Sequence, residues 1–191
     1  MKMKTALLII DMQNDFVLPG APAVVKGAFA SIPRVRAVLE WFRNNAMPVF
    51  HVVREYRADG SDIEISRRDA FLAGSSYVVP GTKGADIVDA LAPRPMEYRI
   101  VKPRFSAFFG TELELILRRL EVDSLAVCGT QYPNCIRATA YDGLSHGYCV
   151  SVITDATSAS SDDVAESNIR DMRAVGIACV SFDEFKRSNG G

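Results

Sequence analysis

Three side chains that could carry out nucleophilic catalysis each follow a short apolar run. Asp11 ends the run in "LLIIDMQNDF", Lys102 follows the run in "RIVKPRFSAFFGT", and Cys135 follows the run in "VCGTQYPNCIRATA". A thiol is a good nucleophile only as a thiolate, and a neighbouring ammonium group and the positive end of a helix both lower its pKa. A carboxylate beside them can take the thiol proton and later return it to a leaving amine. The sequence therefore predicts Cys135 as a nucleophile whose thiol has a pKa well below its ordinary value.

The elements that would position these residues alternate between strands and helices. Short apolar or β-branched runs, which predict strands, cover 5–10, 48–53, 98–101, 124–129, 148–153 and 177–182. Strands that are apolar on both faces and alternate with helices predict a doubly wound three-layer α/β/α sandwich with a central, mostly parallel six-stranded sheet. Such folds place their sites beyond the carboxyl ends of the strands, where all three candidate residues fall.

The predicted helices are less regular than the strands. Val35, Val38, Leu39 and Phe42 form a stripe at helical spacing behind Pro33, which is expected near a first turn, and Leu113 to Leu120 form a second stripe. Further helices are expected over 84–91, 134–146 and 161–175. The stretch 54–83 has mixed charges and "PGTKG". It is typical of a surface excursion or part of a site lid.

Several other side chains are candidates for substrate binding. Phe16, Phe105, Phe108 and Tyr132 could line an apolar pocket, although packing in the core or at a subunit interface explains them equally well. Arg54 or Arg57 could bind a substrate carboxylate bidentately, and an ordinary salt bridge is the alternative for each. The loop ahead of Cys135 offers backbone N–H groups that could form an oxyanion hole.

Composition limits the classes of partner. The chain has 191 residues, of which 48% are hydrophobic, and this length predicts one domain over 1–191. A net charge of -1 without long charge runs gives no footprint for nucleic acid, and no apolar stretch approaches the roughly 20 residues of a membrane span. A small-molecule substrate and a cytoplasmic location are expected. Four cysteines without CxxC spacing and only two histidines predict reduced thiols, no metal site and no cofactor.

The three motifs, in this order, resemble the signature segments of the isochorismatase-like cysteine hydrolases. The resemblance runs from Thr5 to about Phe182 and includes "GTQYPNCIRATAYDGLSHGY" around the cysteine. It implies a catalytic triad of Asp11, Lys102 and Cys135 and a covalent acyl-enzyme. It also implies a cis peptide at Thr130–Gln131, an oxyanion hole formed by the backbone N–H groups of Gln131 and Cys135, and assembly into dimers or tetramers.

Departures from the family pattern indicate which branch of the family this chain resembles. Many relatives carry "GxxTDxC" where this chain has "GTQYPNC", so the resemblance does not extend to the shape of this loop or to the choice of substrate. The nicotinamidase branch carries a metal-binding aspartate and histidines around the second strand. Here Val49 stands where that aspartate would be, and His51 and His146 are the only histidines. The resemblance therefore disfavours a metal-dependent nicotinamidase.

Isochorismatases proper cleave a vinyl ether without using the cysteine, so Cys135 favours the amidohydrolase branch and a small amide, ureido or carbamoyl substrate. A vinyl ether hydrolase and a non-catalytic binding protein on the same fold stay as alternatives. Haloacid-dehalogenase-like phosphatases also begin with a strand and an aspartate, but they need a second acid where this chain has Gln13. Receiver domains pair an aspartate with a later lysine but are usually much shorter.

Overall fold

A six-stranded sheet between layers of helices forms the centre of the computed structural model, which describes residues 3–189. The strands are β1 (Thr5–Ile10), β2 (Val49–Arg54), β3 (Tyr98–Lys102), β4 (Ser124–Thr130), β5 (Cys149–Ser158) and β6 (Ala178–Val180). They lie in the order β3-β2-β1-β4-β5-β6, and every neighbouring pair is parallel. The predicted α/β/α sandwich is confirmed, and its sheet is parallel throughout.

Helices follow most of the strands. They are α1 (Asn14–Val17), α2 (Ala28–Asn44), α3 (Ile65–Leu72), α4 (Leu113–Arg119), α5 (Arg137–Ser145), α6 (Asp162–Ala174) and α7 (Phe182–Asn189). A 3-10 turn covers Asp89–Leu91, and a π-helical turn covers Tyr132–Ile136. Within residues 3–189 no helix combines the length and the apolar character that crossing a bilayer requires.

The two faces of the sheet bury separate hydrophobic cores. Successive side chains of a strand point to opposite faces, so β1 divides its residues between the two cores. Ala6, Leu8 and Ile10 pack on the side that includes α4, α5 and α6, whereas Leu7 and Ile9 pack on the side of α2 and α7. Every residue of β1, β2 and β4 is buried. This double coverage is why the strands appear as unbroken apolar runs in the sequence.

Three elements differ from their predicted form. Pro33 lies inside α2 instead of near its start, since the helix begins at Ala28. Proline there removes only the hydrogen bond to the carbonyl of Phe29, which belongs to the exposed first turn. The predicted helix over 84–91 is reduced to the 3-10 turn, and the run 177–182 is shared between β6 and the start of α7.

The stretch after β2 is more ordered than its sequence suggests. It contains α3 and a small core of its own, formed by Tyr56, Ile63, Phe71, Val78 and Ala85. We call residues 56–85 the cap segment. The fully buried side chain of Gln13 joins its two ends, because its Nε2 donates to the carbonyls of Arg54 and Ala85, both at 2.8 Å. The Gln13 Oε1 also accepts from the backbone N–H of Arg54 at 2.7 Å.

Candidate active site

The strand order brings the three candidate catalytic residues to one crevice. From β1 the chain proceeds to β2 and β3 on one side, and β4, β5 and β6 lie on the other. The boundary between β1 and β4 is therefore the switch point of the sheet, where doubly wound folds bind their ligands. Asp11 directly follows β1, Cys135 lies beyond β4, and Lys102 ends β3.

A buried ammonium group links the carboxylate and the thiol. Lys102 Nζ lies 2.9 Å from Asp11 Oδ2 and 3.4 Å from Cys135 Sγ, and it also donates to the Arg104 carbonyl at 3.3 Å. Lys102 has no exposed surface, and Asp11 is 3% exposed. The second carboxylate oxygen, Oδ1 of Asp11, is buried and has no hydrogen-bond partner within residues 3–189. That oxygen is therefore free to accept a proton.

Close contact between the ends of β1 and β4 shapes this crevice. Gly129 has a φ of +110°, and a Cβ atom there would lie 2.3 Å from the carbonyl oxygen of Ile10. Only glycine fits so close to another backbone. Asp11, the next residue on the β1 side, has a φ of +50°, and its N–H donates to the Val52 carbonyl at 2.9 Å. The backbone conformation at Asp11 thus fixes the direction in which its carboxylate enters the crevice.

The nucleophile lies in the first turn of a helix that opens irregularly. The Thr130–Gln131 peptide is cis, and the π-helical turn Tyr132–Ile136 leads directly into α5. The sequence predicted one regular helix over 134–146. π-helical turns are rare, and those that occur are frequently found at functional sites. Here the turn places Cys135 at the positive end of the α5 dipole, where negative charge is stabilised.

The resting Cys135 thiol is less acidic than the sequence predicted. Burial, followed by the negative charge of Asp11, raises the pKa of Cys135 to about 11, although Lys102 and Arg54 act in the opposite direction. The sequence indicated the neighbouring cation and carboxylate but gave no sign that the thiol is buried. At neutral pH the cysteine is therefore a thiol in the resting state. Its proton must leave when the reaction begins.

Arg54 is a second buried cation beside the thiol. It ends β2, is 2% exposed, and its NH2 group lies 3.8 Å from Cys135 Sγ. Its NH1 group donates to Glu64 Oε1 at 2.6 Å and to the Tyr56 hydroxyl, and that hydroxyl donates to the other Glu64 oxygen. Glu64 and Tyr56 both belong to the cap segment. The cap segment thus holds the guanidinium against the site.

A narrow cleft with a cavity volume of about 30 Å³, open to solvent at its mouth, lies above the thiol. Its walls are Asp11, Phe16, Val25, Arg54, Arg67, Phe105, Thr130, Gln131, Asn134 and Cys135. The predicted substrate-binding residues Phe16, Arg54 and Phe105 are thus among the walls, and so are the two residues predicted to form the oxyanion hole.

Two predicted substrate contacts lie elsewhere. Tyr132 is 1% exposed and belongs to the core below the cleft, because the π-turn directs its ring inward and its hydroxyl towards the Thr154 carbonyl at 3.4 Å. Tyr132 therefore does not line the substrate site. Arg57 is exposed, pairs with Asp59 at 3.5 Å and is not a wall of the cleft.

Arg67 is a wall residue that no motif in the sequence indicates. It belongs to α3, and its guanidinium lies 5.0 Å from the centre of the Phe105 ring. Two adjacent arginines, Arg67 and Arg68, occur in "ISRRDAF", and only the position of α3 shows which one reaches the cleft. Helical spacing in this run was the available signal, but the mixed charges of the stretch 54–83 obscured it.

Both histidines are engaged in contacts outside the cleft. His51 Nε2 lies 2.8 Å from Glu97 Oε2, and His146 Nδ1 lies 2.9 Å from Glu114 Oε2. In the part of the chain that the structure describes, no group of three or more histidine, cysteine or acidic side chains is arranged to hold a metal ion.

A parallel doubly wound sheet with a cysteine, a lysine and an aspartate at its switch point defines a class of α/β proteins suited to nucleophilic chemistry. The chain belongs to the isochorismatase family, because the family model described as the isochorismatase domain matches residues 5–184. Members of this family include hydrolases that act on amide C–N bonds.

Individual relatives cover nearly the whole chain. The crystal structure of an isochorismatase family protein from Desulfovibrio vulgaris is 53% identical, covers 100% of both chains and has a TM-score of 0.96. A probable inactive nicotinamidase of Arabidopsis thaliana is 42% identical over 184 residues, which are 95% of this chain and 94% of the relative. Maleamate amidohydrolase of Pseudomonas putida is 31% identical over 173 residues, which are 88% of this chain and 79% of the relative.

Proposed function

We propose that this chain is a cysteine hydrolase that cleaves the C–N bond of a small amide, ureido or carbamoyl substrate through a covalent acyl-enzyme. The observation that carries the proposal is the position of the buried Lys102 Nζ, 2.9 Å from Asp11 Oδ2 and 3.4 Å from Cys135 Sγ. Asp11 and Cys135 both line the cleft. A cation in contact with both a general base and a nucleophile assembles the parts that covalent amide hydrolysis requires. The similarity to maleamate amidohydrolase agrees with this chemistry.

The first step joins the cysteine to the substrate. The thiol proton passes to Asp11 while Sγ forms a bond to the carbonyl carbon, and the carbonyl oxygen takes the negative charge. The backbone N–H groups of Gln131 and Cys135 donate hydrogen bonds to this oxyanion. One such donor typically contributes a factor of about 10² to 10³ in rate.

The second step releases the amine, and the third releases the acid. Asp11 returns its proton to the substrate nitrogen as the C–N bond breaks, which leaves a thioester on Cys135. Water then attacks the thioester carbon and gives a proton to Asp11, the C–S bond breaks, and the thiolate recovers the proton. Asp11 thus acts as base and acid in turn: the thiol proton leaves with the amine, and a proton from water restores the thiol.

Lys102 and Arg54 stabilise the sulfur while it is negative. Their nitrogens lie 3.4 Å and 3.8 Å from Sγ. At an effective dielectric constant of about 20, a unit charge at such a distance contributes about 4 to 5 kcal/mol. This attraction offsets the cost of forming an anion in a buried position, so the thiolate is accessible during turnover although the thiol is the resting form.

Ammonia release from a panel of primary amides, ureido acids and carbamoyl compounds tests the proposal. Cys135→Ala is expected to abolish turnover with its melting temperature nearly unchanged. Cys149→Ala, which changes the exposed cysteine, is the matched control and is expected to keep wild-type turnover. Added hydroxylamine is expected to yield the hydroxamate of the acyl group, because it competes with water for a thioester. Turnover that survives Cys135→Ala would contradict the mechanism.

The cellular setting is part of the same proposal. We infer a cytoplasmic enzyme that acts on a small molecule, without nucleic-acid or membrane partners, and that assembles into dimers or tetramers as its family resemblance implied. Light scattering coupled to size-exclusion chromatography measures the assembly directly.

A further inference from the structure

Two guanidinium groups flank one aromatic wall of the cleft. The Arg54 guanidinium lies 5.3 Å from the centre of the Phe105 ring, and the Arg67 guanidinium lies 5.0 Å from it. All three residues line the cleft. Arg54 is fixed by Glu64 and Tyr56, whereas Arg67 comes from the helix α3 of the cap segment. One wall of the cleft is therefore cationic, and the Cys135 thiol lies at its floor.

The carboxylates near the cleft do not neutralise all of its cations. Asp11 pairs with Lys102 at 2.9 Å, and Glu64 pairs with Arg54 at 2.6 Å. Within residues 3–189 no carboxylate lies within salt-bridge distance of Arg67, and Glu64 already uses both oxygens on Arg54 and Tyr56. Three cationic side chains thus face two carboxylates. One positive charge is left over, and it lies on Arg67, which borders the cleft.

A half-buried cation in an aromatic setting has lost part of its hydration, which makes it a strong partner for an anion that enters the cleft. The single excess charge matches a monoanion better than a dianion, since a second negative charge would be buried without a partner. A planar carboxylate also fits the fork of a guanidinium bidentately.

We propose that Arg67 binds a carboxylate of the substrate, so that the hydrolysed amide or carbamoyl compound is a small monocarboxylic acid. The inference rests on the proposed function and specifies its substrate class. In this arrangement the carboxylate lies at the Arg67 and Phe105 wall, and the C–N bond lies over Cys135. Arg67 is then the residue that selects acidic over neutral amides, because a neutral amide leaves the cation unpaired.

Binding to a catalytically silent protein tests the inference. The parent is the Cys135→Ala variant, and calorimetry compares succinamate with succinamide, its neutral counterpart. We expect the parent to prefer succinamate by about 10-fold or more, as for a charge-assisted hydrogen-bonded pair. Adding Arg67→Gln is expected to remove this preference and to leave the affinity for succinamide within about twofold.

Arg68→Gln is the matched control, since it removes the same charge from the same helix at an exposed position that does not line the cleft. It is expected to keep the preference for succinamate. Equal loss in the two glutamine variants would show that only the overall field matters and would overturn the inference. So would a parent that fails to bind succinamate or that binds the two compounds equally.

The binding experiment is independent of the proposed function, because the parent lacks the nucleophile. If succinamate binds through Arg67 but the wild-type protein releases ammonia from no amide, the carboxylate site stands and the hydrolase proposal fails. If neutral amides are hydrolysed through Cys135 and the carboxylate preference is absent, the hydrolase proposal stands and the role of Arg67 fails.

Discussion

Replacing Asp11 with asparagine is expected to make the resting Cys135 thiol more reactive while it abolishes catalysis. The carboxylate raises the pKa of the thiol, second only to burial. Asparagine has nearly the same shape but no charge, so its presence removes that repulsion. Because the same carboxylate is the general base of the proposed mechanism, turnover and simple alkylation should change in opposite directions.

The size of the effect follows from the geometry. Lys102 Nζ lies 2.9 Å from Asp11 Oδ2 and 3.4 Å from Cys135 Sγ, so Oδ2 and Sγ cannot be more than about 6.3 Å apart. At that separation and an effective dielectric constant of about 20, two negative charges repel by about 2.6 kcal/mol. That energy corresponds to a thiolate fraction about 100-fold larger at the same pH. Lys102 and Arg54 are still present to stabilise the thiolate.

Iodoacetamide labelling followed by peptide mass spectrometry measures this change for each cysteine. In the wild-type protein, labelling of Cys135 should rise about tenfold per pH unit between about pH 6 and 9, since its pKa lies above that range. In Asp11→Asn the labelling at about pH 7 should be roughly 100-fold faster. Exposed Cys149 is the internal reference and should label equally in both proteins.

A folded Asp11→Asn protein in which Cys135 labels at the wild-type rate, or more slowly, would refute this reasoning. It would mean that the resting pair is already a thiolate and an ammonium, and that the carboxylate acts only by holding Lys102. Near-ultraviolet circular dichroism checks the fold, because the substitution removes the negative charge that pairs with a buried ammonium group.

Two further predictions concern stability. Burial raises the pKa of Glu97, but hydrogen bonds from Arg43 outweigh burial and lower the pKa to about 2. The ionised carboxylate therefore stabilises the folded state above the ordinary pKa, and this stabilisation is lost as the pH falls from about 4.5 to 2. Urea unfolding should show Glu97→Gln about 3 kcal/mol less stable than wild type near pH 6, with the difference shrinking towards pH 2.5; a constant difference would contradict the pairing. Gly129→Ala would place a Cβ 2.3 Å from the Ile10 carbonyl oxygen and should cost more than about 3 kcal/mol or prevent folding. Gly147→Ala, at a φ of +86° with open space around it, should cost only about 1 to 2 kcal/mol, and equal losses in a thermal melt would contradict this explanation.

Much of the fold could be predicted because burial on both faces leaves a simple pattern. The runs 5–10 and 124–129 correspond almost residue for residue to β1 and β4, since every position there faces a core. The order of the strands could not be deduced in the same way. Spacing along the chain does not show that β1 lies between β2 and β4, and that neighbourhood brings Asp11 to Cys135.

Residue types and their positions at strand ends predicted the chemistry of the site. The features that depend on tertiary contacts could not be predicted. A cysteine, a lysine and an aspartate at strand ends indicated the chemistry, but the pKa of Cys135 depends on burial, which no short motif reveals. Tyr132 was a candidate for the pocket, with packing in the core as the equal alternative, and the π-turn directs it into the core. Arg67 lies far from the motifs in sequence and reaches the cleft only through the fold of the cap segment.

The closure of the cap segment by Gln13 has a consequence for how this protein can diversify. The segment begins and ends at one buried side chain, contains its own small core, and supplies both Glu64 and Arg67. We therefore expect that the length and side chains of this segment can change while the sheet, the nucleophile and the two main cores stay as they are. New substrate preferences can therefore arise by exchange of one continuous stretch of about 30 residues, a span typical of a supersecondary unit, and a chimera that keeps Gln13 is the natural starting point for redesign.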